Sequence, residues 1–157
     1  MKPENKRIIL AAEGYHDLDL IDEAWDELRS LPASEHEHPL YVQMCVLLYL
    51  KEKRWDEALD ASKRLTDLLP EASAGFIHAA YCLHEMGHTP EARQLLLDGP
   101  PALKEEATYY YNLGCYQAQL GDLDDAKRLV KRSFELDQRL VEVAKKDDDL
   151  KALWADL

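Results

Sequence analysis

Gly121-Asp122-Leu123-Asp124-Asp125-Ala126 decides how the rest of the chain is read. Counting back from Ala126 by 34 residues at a time lands on Ala92, Ala58 and Ala24, each preceded by an acidic pair or a Pro-Glu step: Pro90-Glu91, Asp56-Glu57 and Asp22-Glu23. The same shift superposes Gly121 on Gly87, Tyr49 on Tyr15, and the large apolar residues Tyr110, Phe76, Val42 and Ile8 on one another. Several independent columns agreeing in one register mark an internal repeat. A unit of this length cannot bury its own apolar face, and the architecture that solves the problem is a helix-turn-helix pair stacked on copies of itself.

Helical periodicity supports that reading without reference to the repeat. Ile8, Ala11, Ala12 and Tyr15 share one face at i, i+3, i+4, i+7, as do Phe76, Ala79, Ala80 and Leu83. Each copy thus opens with a helix carrying a buried stripe. The second helices are expected to start at Asp122, an N-cap with Asp125 three residues on, and at Thr89-Pro90, with Thr89 as cap and proline in the first turn. Acidic residues in these first turns oppose the positive end of the helix dipole. The recurring small residues let neighbouring helices approach closely.

The columns resemble the tetratricopeptide repeat family. The fourth copy carries the pattern most fully, as Tyr110-Tyr111-Asn112-Leu113-Gly114 and then Gly121 to Ala126. The third keeps Phe76, Ala79-Ala80, Gly87 and Ala92. The second keeps Val42, Tyr49, Ala58 and a closing Pro70, but has Cys45-Val46 for the Leu-Gly step and Lys53 for the turn glycine; the first keeps Ala11-Ala12, Tyr15 and Ala24. The copies run over 5–38, 39–72, 73–106 and 107–140. The resemblance implies an all-α, right-handed superhelix of antiparallel helix pairs, in one domain over 1–157, closed by a C-terminal capping helix over 141–157. Its implied role is a non-enzymatic protein-protein interaction module, an adapter or scaffold.

In that family the first helix of each repeat lines an inner groove. Resemblance maps the groove here to Leu40, Gln43, Leu47 and Leu50, to Ile77, Tyr81 and His84, and to Thr108, Tyr111 and Cys115, with Asn112 alongside. Further lining falls on Lys6, Ile9, Glu13 and His16. Leu47, Leu50, Ile77, Tyr81 and Tyr111 make the set apolar, and a large exposed apolar patch marks an interaction surface. The lysines, arginines and asparagines with which chaperone-tail binders of the family clamp a terminal carboxylate are missing from the matching positions; Lys6 and Asn112 are isolated remnants. The expected ligand is therefore an extended or helical peptide held by apolar pockets, with the acidic surround favouring basic partners.

A formal charge of −12 argues against nucleic acid as a partner. The one basic cluster, Lys127, Arg128, Lys131 and Arg132, reads as a solvated helix face. No stretch reaches the about 18 continuous apolar residues of a membrane span, and Met1 to Ile9 lacks the apolar run of a signal peptide, so membrane insertion is not expected and residence is expected in the cytoplasm. Cys45, Cys82 and Cys115 are widely spaced and suggest neither a disulfide framework nor a zinc clip. His84-Glu85-Met86-Gly87-His88 spells a zinc-protease motif, but the motif needs both histidines on one helix, and Gly87 stands at the repeat's turn. His36 and His38 read as solvated loop histidines. No catalytic constellation, metal site or cofactor is expected.

Beyond Leu140 the register lapses, because Asp147 and Asp148 occupy what would be small buried positions. Leu150, Leu153, Trp154 and Leu157 then form an apolar stripe on a short helix that Asp147 or Asp148 can cap. Two roles stand open for this segment: a lid on the last repeat, or a docking element that places Trp154 and Leu157 in the groove of a second copy, making a self-associating homodimer. A further alternative rests on Phe76 to Leu83, a stretch similar to bacterial class II type III secretion chaperones, which hold hydrophobic clients.

Overall fold

The computed structural model describes residues 1–157 and contains helices and turns but no strand. Four antiparallel pairs follow one another: α1 (Pro3–Asp17) with α2 (Ile21–Arg29), α3 (Pro39–Lys51) with α4 (Trp55–Leu68), α5 (Ala74–Glu85) with α6 (Thr89–Leu97), and α7 (Ala107–Gln119) with α8 (Leu123–Leu136). The second helices begin at residues 21, 55, 89 and 123, in step with the sequence repeat. Short 3-10 turns over Ala33–Glu35 and Pro101–Glu105 join copies. After α8 come a brief α9 (Leu140–Ala144) and a 3-10 segment over Asp148–Asp156.

The copies group into two compact units, Met1–Pro70 and Glu71–Leu157. In the first, α1 packs on α2 and α3, and α3 on α2 and α4, around Ile9, Ala12, Leu28, Met44 and Leu48. In the second, α7 is central: it meets α5, α6, α8 and the 148–156 segment around Leu96, Leu103, Leu113, Tyr116, Leu129 and Leu150.

The turn between the helices of each pair has the same backbone solution. Asp19, Lys53, Gly87 and Gly121 all have positive φ, at 59°, 56°, 86° and 92°. Only glycine enters this left-handed region without steric cost, so copies 1 and 2 hold a disfavoured conformation that copies 3 and 4 relieve. Lys51 offsets part of that cost at Asp19, donating a hydrogen bond from Nζ to its carboxylate at 2.7 Å.

Each turn delivers the second helix so that the repeating alanine faces its partner. Ala24, Ala58, Ala92 and Ala126 are all 0% exposed. A second column on the first helices, Ala12, Val46, Ala80 and Gly114, is likewise buried. At the α7/α8 crossing a Cβ on Gly114 would fall 2.6 Å from Val130 Cγ2 and 3.2 Å from the Ala126 carbonyl oxygen.

The caps divide. Asp122 accepts from the Asp125 amide at 3.1 Å, as its sequence predicts. Thr89 does not cap α6. It lies inside the first turn, His88 takes the cap position without a side-chain bond, and the Thr89 hydroxyl is drawn to His84 Nδ1 at 2.8 Å. His36 and His38 are not free loop histidines either. His36 stacks on Tyr41 with centroids 4.5 Å apart, and His38 Nδ1 accepts from the Leu40 amide to cap α3. On the basic stripe of α8, Arg128 pairs with Asp125, Arg132 with Glu135 and Lys127 with Asp156.

Ala126→Leu should overpack the α7/α8 crossing and cost about 1–3 kcal/mol, read as a fall in Tm by circular dichroism. Lys53→Gly should act in the opposite sense, gaining about 0.5–1 kcal/mol by removing the left-handed penalty; an unchanged or lower Tm would show that the turn is not strained.

Candidate functional site

The first helices carry the residues that the repeat assigns to the inner face, and the two units present that face in different states. In Met1–Pro70 it is open. Leu40 is 40% exposed, Gln43, Leu47 and Leu50 are half-buried, and Leu40, Gln43 and Leu47 join Ile9, Glu13 and Met44 around a cleft of about 140 Å³ between α1 and α3. Its lining is aliphatic, with one carboxylate and one amide at the edge. Such a surface buries an apolar side chain and fixes its neighbour through a polar contact.

In Glu71–Leu157 the matching face is covered. Thr108 and Tyr81 remain exposed, the latter at 38%, and Ile77, His84 and Asn112 are half-buried. Tyr111 and Cys115, expected to line an open groove, are 7% and 4% exposed. The cover is the chain's own terminal segment. Tyr111 Oη donates to Asp147 Oδ2 at 2.7 Å, and Cys115 Sγ lies 3.8 Å from the same oxygen. His84 Nε2 meets Asp149 Oδ2 at 2.7 Å, and Gln119 Nε2 donates to the Asp149 carbonyl at 3.0 Å. An ionised carboxylate only accepts, so in this contact Nε2 is the donor to Asp149. Asp147 also caps the segment by accepting from the Asp149 amide at 3.0 Å.

Leu150 and Leu153 reach 0% and 2% exposure beneath this polar frame. Trp154 and Leu157 pack against the same core, and Trp154 Nε1 donates to the Ala144 carbonyl at 2.9 Å. The stripe of the terminal segment is therefore satisfied within its own chain. Asp147 and Asp149, absent from the residues assigned to the site by resemblance, are its main polar contacts. The signal available in sequence was the lapse of the repeat at Asp147, where a buried position receives a charge.

The electrostatic consequences follow from burial. It pushes the Tyr111 hydroxyl and the Cys115 thiol well above their usual ranges, and the nearby Asp147 charge acts in the same direction. Burial likewise raises the Cys82 thiol to about 11 and the Cys45 thiol above its ordinary value. All three thiols are buried and held in the protonated form, the reverse of what a nucleophilic cysteine requires. The zinc-protease spelling is broken by the backbone: α5 ends at Glu85 and Gly87 turns the chain, so His84 and His88 do not share a helix.

A second, larger cleft of about 400 Å³ lies in Met1–Pro70 among α2, α3 and the turn that precedes α4, and sequence reading missed it. Trp25 and Tyr49 form its aromatic wall, with centroids 4.9 Å apart, and Arg54 lies over the Tyr49 ring at 4.8 Å. Trp25 Nε1 donates to Glu52 at 3.0 Å, while Arg54 pairs with Glu52 and Glu57. Its polar groups largely bind one another, which makes it a closed electrostatic circuit more than a receptor. Repetition marks its Tyr49 and Asp22 columns; Trp25, Glu52 and Arg54 converge through folding.

Comparison with known proteins agrees with the geometry. Residues 49–114 match the family described as Tetratricopeptide repeat. Two solved structures share the fold: MamA, at 11% identity and TM-score 0.72 over 92% of this chain and 83% of that one, and TTC0263, a thermophilic tetratricopeptide repeat protein of Thermus thermophilus, at 17% identity and TM-score 0.72 over 97% and 80%. No curated protein matches at the sequence level. The repeating helix pairs define the class, a helical repeat protein. The chain as a whole has the superhelical fold of tetratricopeptide repeat proteins, and residues 49–114 match the family itself. No helix is long and apolar enough to cross a membrane.

Asp147→Ala should loosen the cover and raise the rate at which a thiol reagent modifies Cys115 by about tenfold, the equivalent of one net hydrogen bond. Site-resolved mass spectrometry under native conditions gives the rate. Equal rates in the two proteins would show that the carboxylate does not hold the segment down.

Proposed function

We propose that this protein is an interaction scaffold without catalytic activity, and that it holds a short peptide or helix of a partner protein against the first-helix face of residues 1–70. The observation that carries this reading is the exposed Leu40 beside half-buried Leu47 around an aliphatic cleft, on the face that the repeat reserves for the inner surface. An aliphatic anchor on the partner fills the cleft, while Glu13 and Gln43 accept from its backbone or from a basic neighbour. A net charge of −12 steers basic partners toward the chain. The fold supports the general role, since tetratricopeptide domains bind protein partners.

The other readings gain less support. The Phe76 to Leu83 stretch that suggested a client chaperone is used in packing: Ala79, Ala80 and Cys82 are buried in α5, and Phe76, Ile77 and Leu83 pack against the core. Trp154 and Leu157, the residues offered for self-association, pack on their own chain.

Affinity capture with quantitative mass spectrometry, comparing the wild type with Leu40→Asp/Gln43→Lys, tests the scaffold. Both positions are at least partly open, so the variant should keep the wild-type helicity and Tm. Its specific partners should fall by about tenfold or more, as loss of an interface anchor does. Identical captured sets from wild type and variant would remove this face from consideration.

A further inference from the structure

The inner face of residues 71–157 is covered by residues 147–157 of the same chain. Three donors from two helices, α5 and α7, converge on the segment: Tyr111 Oη on Asp147, His84 Nε2 on Asp149 Oδ2, and Gln119 Nε2 on the Asp149 carbonyl. Below them Leu150 and Leu153 are fully enclosed, whereas Asp148, Lys151 and Ala152 face solvent. This pattern, alternate carboxylates followed by two leucines three residues apart, is how a docked peptide is read: polar groups set the register and apolar side chains fill pockets.

The segment's conformation sets it apart from an integral helix. Asp148–Asp156 is a 3-10 run of nine residues, where such runs seldom exceed about 3–4 because their hydrogen bonds are poorly aligned. The exposed Lys145-Lys146 step connects it to α9. Side chains hold it to α5, α7 and α8, the last through Lys127 and Asp156. A terminal segment of this kind opens more readily than the helices beneath it.

We propose that the face formed by His84, Tyr111, Cys115 and Gln119 is a binding site for an acidic-apolar segment of a partner protein, of the pattern Asp-x-Asp-Leu-x-x-Leu, and that residues 147–157 close it as an internal competitor. The proposal rests on the reading of the first-helix face as the interaction surface, but it concerns a separate site with the opposite charge preference. The partner exchanges with the strap by presenting the same two carboxylates and two aliphatic anchors. Tethering keeps the internal segment at an effective concentration on the order of millimolar, so only a partner that outmatches it gains entry.

The test uses the full chain and a fluorescein-labelled peptide spanning Lys145 to Leu157. Asp147→Asn/Asp149→Asn in the protein weakens the strap while leaving Leu150 and Leu153 to cover the core. Anisotropy titration should show this variant binding the unaltered peptide about tenfold or more tighter than the wild-type chain does. A peptide carrying the same two Asn substitutions should bind it about tenfold weaker than the unaltered one, and Tyr111→Phe added to the variant should also weaken binding. Leu40→Asp should leave peptide affinity unchanged, which separates this site from the one on residues 1–70.

A variant that melts like the wild type but binds no peptide overturns the proposal. So does a variant that loses cooperative melting, which would make the segment a structural lid. Sedimentation showing that the wild type is a dimer and the variant a monomer would mean that the strap is exchanged between copies, and would overturn internal occupancy. Partner loss on Leu40→Asp/Gln43→Lys together with peptide failure would leave the scaffold reading standing and remove only this one.

Discussion

Everything in this molecule depends on how closely two helices can cross at the repeating alanine. Ala24, Ala58, Ala92 and Ala126 have no exposed surface, and Gly114 packs against the Ala126 backbone. Close crossing maximises dispersion contact along both helices and leaves no room for an added methyl group, as the Gly114 position against Val130 shows. The left-handed turn residues serve this crossing. A short connection with positive φ at Asp19, Lys53, Gly87 or Gly121 reverses the chain and brings the alanine into place. Where glycine is absent, backbone strain is accepted so that the crossing is kept.

Stacking of such pairs leaves one face of each first helix without a helical partner, and the two units meet that condition differently. On residues 1–70 the face stays partly open around Leu40 and Leu47. On residues 71–157 a 3-10 segment supplies the missing apolar cover through Leu150 and Leu153 and brings two carboxylates and a backbone carbonyl to three donors. One repeat pattern thus yields an aliphatic shelf and a polar-framed pocket. The acidity of the whole chain suggests basic partners, yet the local chemistry around Tyr111 and His84 favours carboxylates. Local hydrogen-bond geometry overrides net charge there because it acts at contact distance in a shielded place, while the net charge acts through screening solvent.

The fold was legible because its main determinants are periodic. Alanines at a fixed interval, an N-cap at Asp122 and a glycine at each of two turns are local signals, and helices starting at residues 21, 55, 89 and 123 follow from them. Thr89 shows where local rules stop. Its hydroxyl suits a helix cap, but His84 stands one turn away on the other side of the bend and claims it. His36 likewise reads as a loop residue until Tyr41 offers a ring to stack on. Both differences come from contacts that form only after the chain has turned back on itself.

By itself the sequence determined the helix pairs, their register, the small-residue crossings and the class of protein, since all of these repeat along the chain. It also determined that residues 147–157 have an apolar stripe needing cover. Tertiary structure alone decided where that stripe goes, which of the inner-face residues remain open, and that Asp147 and Asp149 end beside Tyr111 and His84. The reason is separation: the Tyr111–Asp147 and His84–Asp149 contacts span 36 and 65 residues, and no periodicity encodes a pairing made once.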